Sequence, residues 1–246
     1  MNGNIEDIRV LEQCMLNAWP STRVVHCDGW VFRLAGGYTK RANSAQAFAP
    51  SGKFEPVLAN ARNFYARHRQ PEIFRLTPLA NADADAVLED NAYRSIDPTI
   101  VVSAPLTNEL GCDGSVSVET ELSHDWPQWH AAANGLKDCD LAGHIAILNT
   151  IALPKAFATW RVDDQPLAFG LGVLDHGRLG LFDIVTLSYA RRTGGAHKIV
   201  SALLGWGQSN GAHTAWLSVL ADNSAAIPLY TQFGFSERYR YHYRCA

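Results

Sequence analysis

No cluster of lysine or arginine occurs anywhere in these 246 residues. The 21 basic and 24 acidic side chains leave a formal charge of −3, and the basic ones are scattered. Gripping a polyanion takes a basic stripe, so nucleic acid is excluded as the main partner. There is no apolar run of about 18 residues, the length that marks a bilayer span, and no membrane is expected. The opening MNGNIEDIRVLEQCMLNAWP carries acids and lacks the long apolar stretch of a signal peptide. Its Ile5, Ile8, Leu11 and Leu16 instead repeat at near-helical spacing, which predicts an amphipathic first helix. Cysteine is sparse: Cys14, Cys27, Cys112, Cys139 and Cys245 are odd in number, widely spaced and without a CxxC. That argues against a disulfide framework and a structural zinc site and points to a reducing, cytoplasmic setting. HxxxH and HExxH are missing too. His124 and His130, with Trp126 and Trp129 between them, are expected to be ordinary surface or core histidines, and no metal is expected.

What is present is apolar: 47% hydrophobic against 18% charged residues, enough to fill a core and exclude disorder. Trp30–Leu34 alternates as a strand, Gly36-Gly37 supplies a turn, and Ala42–Phe48 is its expected partner. Val57, Leu58, Ala61, Phe64 and Tyr65 share one helical face. A strand (EIFRLTPL), a short helix (ADADAVLEDNAY) and a strand (TIVVSAPL) follow. TNELGCDGS, 107–115, is polar and glycine-containing, and reads as a linker between a domain at 1–106 and another at 116–246. In the second, Val116–Leu122 and Pro127–Leu136 suggest a strand and a helix. AFATWRV, PLAFGLGVL and GLFDIVTL, parted by the turn segments DDQ and DHGR, predict an antiparallel meander. A helix from about His197 to Asn210, a strand TAWLSVL, a helix DNSAAIPLYTQFGF and a strand RYRYHYR complete the chain.

Shifted by about 141 residues, the two halves match in outline. NFYARHRQPEIFRLTPL falls over LGWGQSNGAHTAWLSVL, and one residue more brings LEDNAY over YTQFGF. Both halves read helix, strand, helix, strand.

Chemistry concentrates in two motifs. Arg191-Arg192-Thr193-Gly194-Gly195-Ala196 fits [Q/R]xxGx[G/A] after a strand and before an amphipathic helix. Glycines let backbone N–H groups converge, and a helix start adds positive partial charge, which suits a pyrophosphate. GK[S/T] and GxGxxG are both absent, so neither a Walker loop nor a dinucleotide fingerprint is meant. Further on comes Asp222-Asn223-Ser224-Ala225-Ala226-Ile227-Pro228-Leu229-Tyr230, then Gly234-Phe235, the pattern NxxAxxLYxxxGF.

With both motifs in order, the segment from about Ala156 to Arg244 resembles the GNAT superfamily of acyl-CoA-dependent N-acyltransferases. The ending YRYHYR and the upstream GGYTKRANS are similar to a bacterial subgroup with two GNAT-like halves. The resemblance implies an α/β fold of two GNAT-like units and acetyl transfer from acetyl-CoA to a primary amine by direct attack in a ternary complex. The amine could belong to a small molecule or a protein, and the chain could be a monomer or a homodimer. Ile184, Val185 and Thr186 offer backbone to the pantetheine and the thioester carbonyl, and Arg191, Arg192, Thr193, Gly194, Gly195, Ala196 and His197 form the phosphate loop. Asn223 contacts the pantetheine arm, although DNS is also cap chemistry. Tyr230 protonates the departing thiolate.

One departure stands out. The Glu that many relatives carry five residues before the Asn is Ser218 here. Asp183 is the substitute base, with a water relay as the alternative, and binding of acyl-CoA by a sensor or scaffold without catalysis stays open. In the N-terminal copy the phosphate loop falls on Pro50-Ser51-Gly52-Lys53-Phe54-Glu55, which keeps one glycine and adds an acid, so that half is expected to be degenerate and not to bind CoA. Trp30, Arg33, Tyr38, Arg41 and Asn43 cluster around Gly36-Gly37; of these Trp30, Tyr38, Arg41 and Asn43 are the candidate acceptor residues.

Overall fold

The computed structural model describes residues 4–107 and 114–246; most of the expected linker, with Cys112, lies outside these. The fold is mixed α/β. Helix α1, Ile5–Ala18, is capped by Asn4, whose side chain accepts from the Glu6 N–H, and Glu6 and Asp7 face the positive end of its dipole. Ile8 and Leu11 are buried as the spacing predicts, while Leu16 is half-buried and Ile5 stays 47% exposed. Strands β1 (Arg23–Cys27), β2 (Trp30–Leu34) and β3 (Ala45–Ala47) form an antiparallel meander, and β3 then runs parallel to β4 (Ile73–Leu76) across helix α2 (Glu55–Arg67). Helix α3 (Ala84–Asp90) and strand β5 (Arg94–Pro105) follow.

The second half repeats this plan after strand β6 (Val116–Glu119) and helices α4 (Trp126–Asn134) and α5 (Asp138–Thr150). Strands β7 (Lys155–Val162), β8 (Gln165–Asp175) and β9 (Arg178–Thr186) form the expected meander. Their turns place Asp163, Asp164, His176 and Gly177 at positive φ, as tight hairpins require. Helix α6 (Gly195–Ser209), strand β10 (Thr214–Leu220), helix α7 (Ala226–Gln232) and strand β11 (Ser236–Cys245) complete it. The repeat holds at the level of elements. Strands β4 and β10 begin at Ile73 and Thr214, helices α3 and α7 at Ala84 and Ala226, strands β5 and β11 at Arg94 and Ser236. The parallel pair β3–β4 recurs as β9–β10.

The division into compact units follows pairing rather than chain order. One unit holds the chain to Val102 together with Ser218–Pro228 and Glu237–Ala246; the other holds Ser103–Leu217 and Leu229–Ser236. Strand β11 joins the first unit because it pairs antiparallel with β4 (His242↔Leu76, Cys245↔Ile73). Strand order in the first unit is β1-β2-β3-β4-β11-β5, and in the second β10-β9-β8-β7-β6.

The first unit is built around an ion pair between Arg75 and Glu12, whose side chains are 0% and 2% exposed. Tyr239 also donates to Glu12, and the Arg75 guanidinium lies 3.7 Å from the centroid of the Tyr241 ring. Removing one partner strands a buried charge. Glu12→Ala should therefore lower the unfolding free energy by about 3–5 kcal/mol, read from urea titration. A loss below about 1 kcal/mol, the range of exposed pairs, would mean that water reaches Arg75.

Candidate active site

The site begins where two parallel strands part. The β9–β10 ladder runs from Arg178↔Thr214 to Gly180↔Trp216 and stops there. Strand β9 continues to Thr186, held on its other side by β8. The β8 register slips between Phe169, opposite Val185, and Leu171, opposite Phe182, so Asp183 and Ile184 share the space across from Gly170. This is a bulge, and it holds Asp183 at φ +54°, in the left-handed region that costs a non-glycine residue about 1–3 kcal/mol. Gly170 permits it: a Cβ there would come 2.5 Å from Ile199 and 2.6 Å from Ile184. Beyond the bulge Ile184, Val185 and Thr186 are half-buried and free of the β10 ladder, so their backbone groups can meet an extended amide chain.

Downstream the chain turns into α6. Arg192 and Gly194 both take left-handed conformations, φ +64° and +91°, and alternation of this kind turns successive N–H groups toward one point. Thr193 steadies the turn by donating to the Ala190 carbonyl at 2.7 Å. Gly195 opens the helix pressed against Trp160, where a Cβ would stand 2.7 Å from the indole. Arg191, Arg192, Thr193, Gly194 and His197 are exposed, Ala196 is half-buried and Gly195 is buried, so the turn opens to solvent at the positive end of the helix dipole. The His197 ring packs on Phe233 at 4.6 Å.

Tyr230 lies in α7, 8% exposed, with its ring against Phe235 at 5.9 Å. Burial pushes its phenol up to about 12, so it remains protonated throughout the neutral range. Asn223 is a cap: its side-chain oxygen accepts from the Ala226 N–H at 3.1 Å and its carbonyl from Ile227.

Asp183 brings two residues with it. His144 on α5 meets it through Nε2 at 2.7 Å from Oδ2, and His130 on α4 places Nε2 3.9 Å from Oδ1. Both imidazoles are buried, and the Asp183 side chain is 15% exposed. Trp126 stacks on His130 at 5.3 Å with 7° between planes. Burial lowers the His130 pKa; the Asp183 charge works against that shift and His144 adds to it. The donor atoms of the three residues lie within 4.8 Å of one another, which invites a metal. Ligands of one tetrahedral zinc stand roughly 3.3 Å apart, however, given bonds near 2.0 Å, and 2.7 Å is a hydrogen-bond length. The buried Nδ1 of His130 has no hydrogen-bond partner, whereas a metal-bound histidine almost always donates from its second nitrogen. Sequence reasoning passed over His144 because α5 itself was not expected, and treated His130 as an ordinary histidine.

The family described as "Probable histone acetyltransferase Rv0428c C-terminal" matches residues 5–244. The chain belongs to this family and to the GNAT superfamily. An uncharacterized N-acetyltransferase, YobR of Bacillus subtilis (strain 168), is 27% identical over 247 residues, covering 98% of this chain and 99% of that protein. A GCN5-related N-acetyltransferase from Kribbella flavida superposes with a TM-score of 0.72 at 18% identity, over 99% of this chain and 95% of the other. A tandem GNAT protein from the clavulanic acid biosynthesis pathway gives 0.65 at 9% identity, over 100% and 96%.

The GNAT fold places the four candidate acceptor residues in the first unit, with different employment. Trp30 is fully buried between Phe54 and Phe74 and donates to Asn81. Asn43 is buried and ties its loop together, accepting from the Ala35 and Gly37 N–H groups and donating to the Tyr38 and Thr39 carbonyls. Tyr38 is half-buried. Arg41 lines a cavity of about 270 Å³ together with Lys40, Asp97, Ser218 and Tyr241. Arg33, the fifth member of the sequence cluster, is buried against the carbonyls of Leu16, Trp19 and Arg41, and burial pulls its pKa down to about 10.

The tight seat of α6 generates a prediction. Gly195→Ala should destabilise the protein by about 1–3 kcal/mol, the usual cost of overpacking, read from thermal unfolding without ligand. An unchanged Tm would mean that Trp160 moves aside at no cost.

Proposed function

We propose that this GNAT protein transfers an acetyl group from acetyl-CoA to a primary amine by direct attack in a ternary complex. The observation that carries the reading is the continuity of the open edge of β9 with the left-handed turn at the start of α6. A pantetheine arm needs the first and a pyrophosphate the second, and the half-buried Ile184–Thr186 backbone and the φ values of Arg192 and Gly194 fit them. Acetyl-CoA supplies the acetyl group as a thioester. The backbone of Ile184, Val185 and Thr186 aligns the arm and offers N–H groups to the oxyanion; the N–H groups from Arg191 to His197 hold the phosphates. Asn223 contacts the arm in addition to capping α7. Tyr230 donates its proton to the departing thiolate, whose pKa is about 8.5. Asp183 takes the proton from the attacking nitrogen.

The N-terminal copy keeps the topology without the site. At the start of α2, Phe54 is fully buried against Trp30 and Phe74, and Glu55 with its negative charge opens the helix. We read this half as one that does not bind CoA. A second reading, acyl-CoA binding without turnover, is favoured by Ser218 at the position where relatives carry Glu, and the retained Tyr230 weighs against it.

The test is to incubate the protein with acetyl-CoA and a panel of amines and follow free thiol. Tight CoA binding with no thiol release from any amine would favour the sensor. Tyr230→Phe should lower kcat by about 10²- to 10⁴-fold, the usual weight of general acid–base catalysis, while CoA affinity stays nearly constant. Because the Tyr230 pKa is raised, its proton is present at every pH well below about 12, so its ionisation should produce no alkaline loss of activity between pH 6 and 9. An alkaline limb in that range that disappears in Tyr230→Phe would contradict the assignment.

A further inference from the structure

The bulge that strains Asp183 also aims it. In regular register its side chain would follow the alternation of β9; at φ +54° the carboxylate meets α4 and α5 instead. One oxygen, Oδ2, is held by His144 at hydrogen-bond length. The other, Oδ1, stands 3.9 Å from His130, beyond that length. The rings themselves are fixed. They lie 4.7 Å apart, and Trp126 covers His130 while its indole N–H donates to the Ala158 carbonyl. The imidazoles are sealed from solvent, and the carboxylate alone is partly exposed. It lies within the stretch of β9, beyond Gly180, that β10 leaves unpaired.

A carboxylate placed here only to satisfy the interior would not need a left-handed backbone or an opening beside it. We propose that His144 and His130 are positioning residues that hold Asp183 as the base of the transfer, with Oδ2 clamped by the His144 N–H and Oδ1 presented to the acceptor amine. This rests on the acetyltransferase reading above. As the amine nitrogen bonds to the acyl carbon and the C–S bond breaks, one proton passes from nitrogen to Oδ1 and one from Tyr230 to sulfur. Solvent then returns the balance, so the uncharged amine and the thioester give amide and thiol with no net proton change. An amine that arrives protonated releases its extra proton to water first. In this arrangement the His144 Nε2–H is the donor to Oδ2. His130, whose pKa burial lowers, packs beside Oδ1 at 3.9 Å. Strand β8 offers Phe169, Gly170 and Leu171 at the bulge. On α6, Lys198 is turned to Ser115 and the Trp160 ring, and His197 packs on Phe233.

The experiment compares Asp183→Asn, His144→Leu, His144→Gln and His130→Phe in the full chain. Without ligand, the proton NMR spectrum of the native protein should contain a slowly exchanging low-field imidazole N–H signal that is lost in both Asp183→Asn and His144→Leu. In turnover, Asp183→Asn should cut kcat at least 100-fold with CoA affinity retained. His144→Leu should move the acidic limb of kcat/KM up by about one pH unit, because the charged carboxylate loses a donor, and His144→Gln, which keeps an N–H, should restore most of that shift. His130→Phe, similar in shape but non-polar, should leave the limb in place and lower kcat less than tenfold. A missing low-field signal, or an acidic limb unmoved in His144→Leu, overturns the clamp while leaving the base intact. Full activity of Asp183→Asn overturns the base assignment itself. Stoichiometric binding of Zn²⁺ by the native protein, abolished in His144→Gln, would replace the clamp by a metal site.

Discussion

The parting of β9 from β10 is the constraint on which the site depends. A strand that leaves its neighbour exposes a row of N–H and C=O groups, and such groups must find partners or stay wet. Here the freed backbone of Ile184–Thr186 is half-buried rather than sealed, so water or an extended amide chain can satisfy it. The other features follow from keeping the gap open on one side and closed on the other. The β8 ladder must continue, so the length mismatch is absorbed as the bulge at Asp183. The helix beneath must still pack, so Gly170 admits Ile199, and Gly195 lets α6 begin hard against Trp160. Fill either glycine with a side chain and the same strands would still pair, but the support beneath the opening would shift.

That opening places two protonation problems in different surroundings. Tyr230 is buried without a charged partner among the influences on its titration, and burial alone keeps it protonated. Asp183 is only partly covered and lies against two imidazoles. A phenol kept protonated by burial is suited to the acid role proposed for Tyr230. On the proposed reading the carboxylate that Ser218 lacks is supplied by Asp183, held at φ +54° with its side chain 15% exposed.

Much of this was legible because it is written locally. The meander, the loop from Arg191 to Ala196, the helix after it and the Asn223–Tyr230 segment each carry their signal within a dozen residues, and the copy shift predicted where β4 and β10 begin. What escaped was either polar or non-local. Strand β1 has no buried face to alternate, since Arg23 to His26 are all exposed. Helix α5 carries Leu141, Ile145 and Leu148 on one side, yet the residues it buries are His144, Ile147 and Leu148, so its apolar pattern does not mark the face that packs, and with it went His144. The bulge depends on register between β8 and β9, which no single strand encodes. The destination of β11 depends on its partner: alternation in RYRYHYR declares a strand, yet its place beside β4, and hence the division of units, is a matter of pairing.

The two copies show how little sequence separates a site from a filled core. Both run three antiparallel strands into a parallel pair, and both start a helix at the corresponding point. In the second copy Gly194 and Gly195 bare the helix start. In the first, Phe54 is driven into a cluster with Trp30 and Phe74, and Glu55 adds charge of the wrong sign for a phosphate. Burying a phenylalanine contributes about 1.5–3 kcal/mol, whereas an open turn with a left-handed Arg192 costs some stability. Absent a ligand, packing favours the closed form, so the open form persists only where something outside the fold selects it. That the second copy retains the strained, exposed version is the physical argument for locating acyl-CoA binding there.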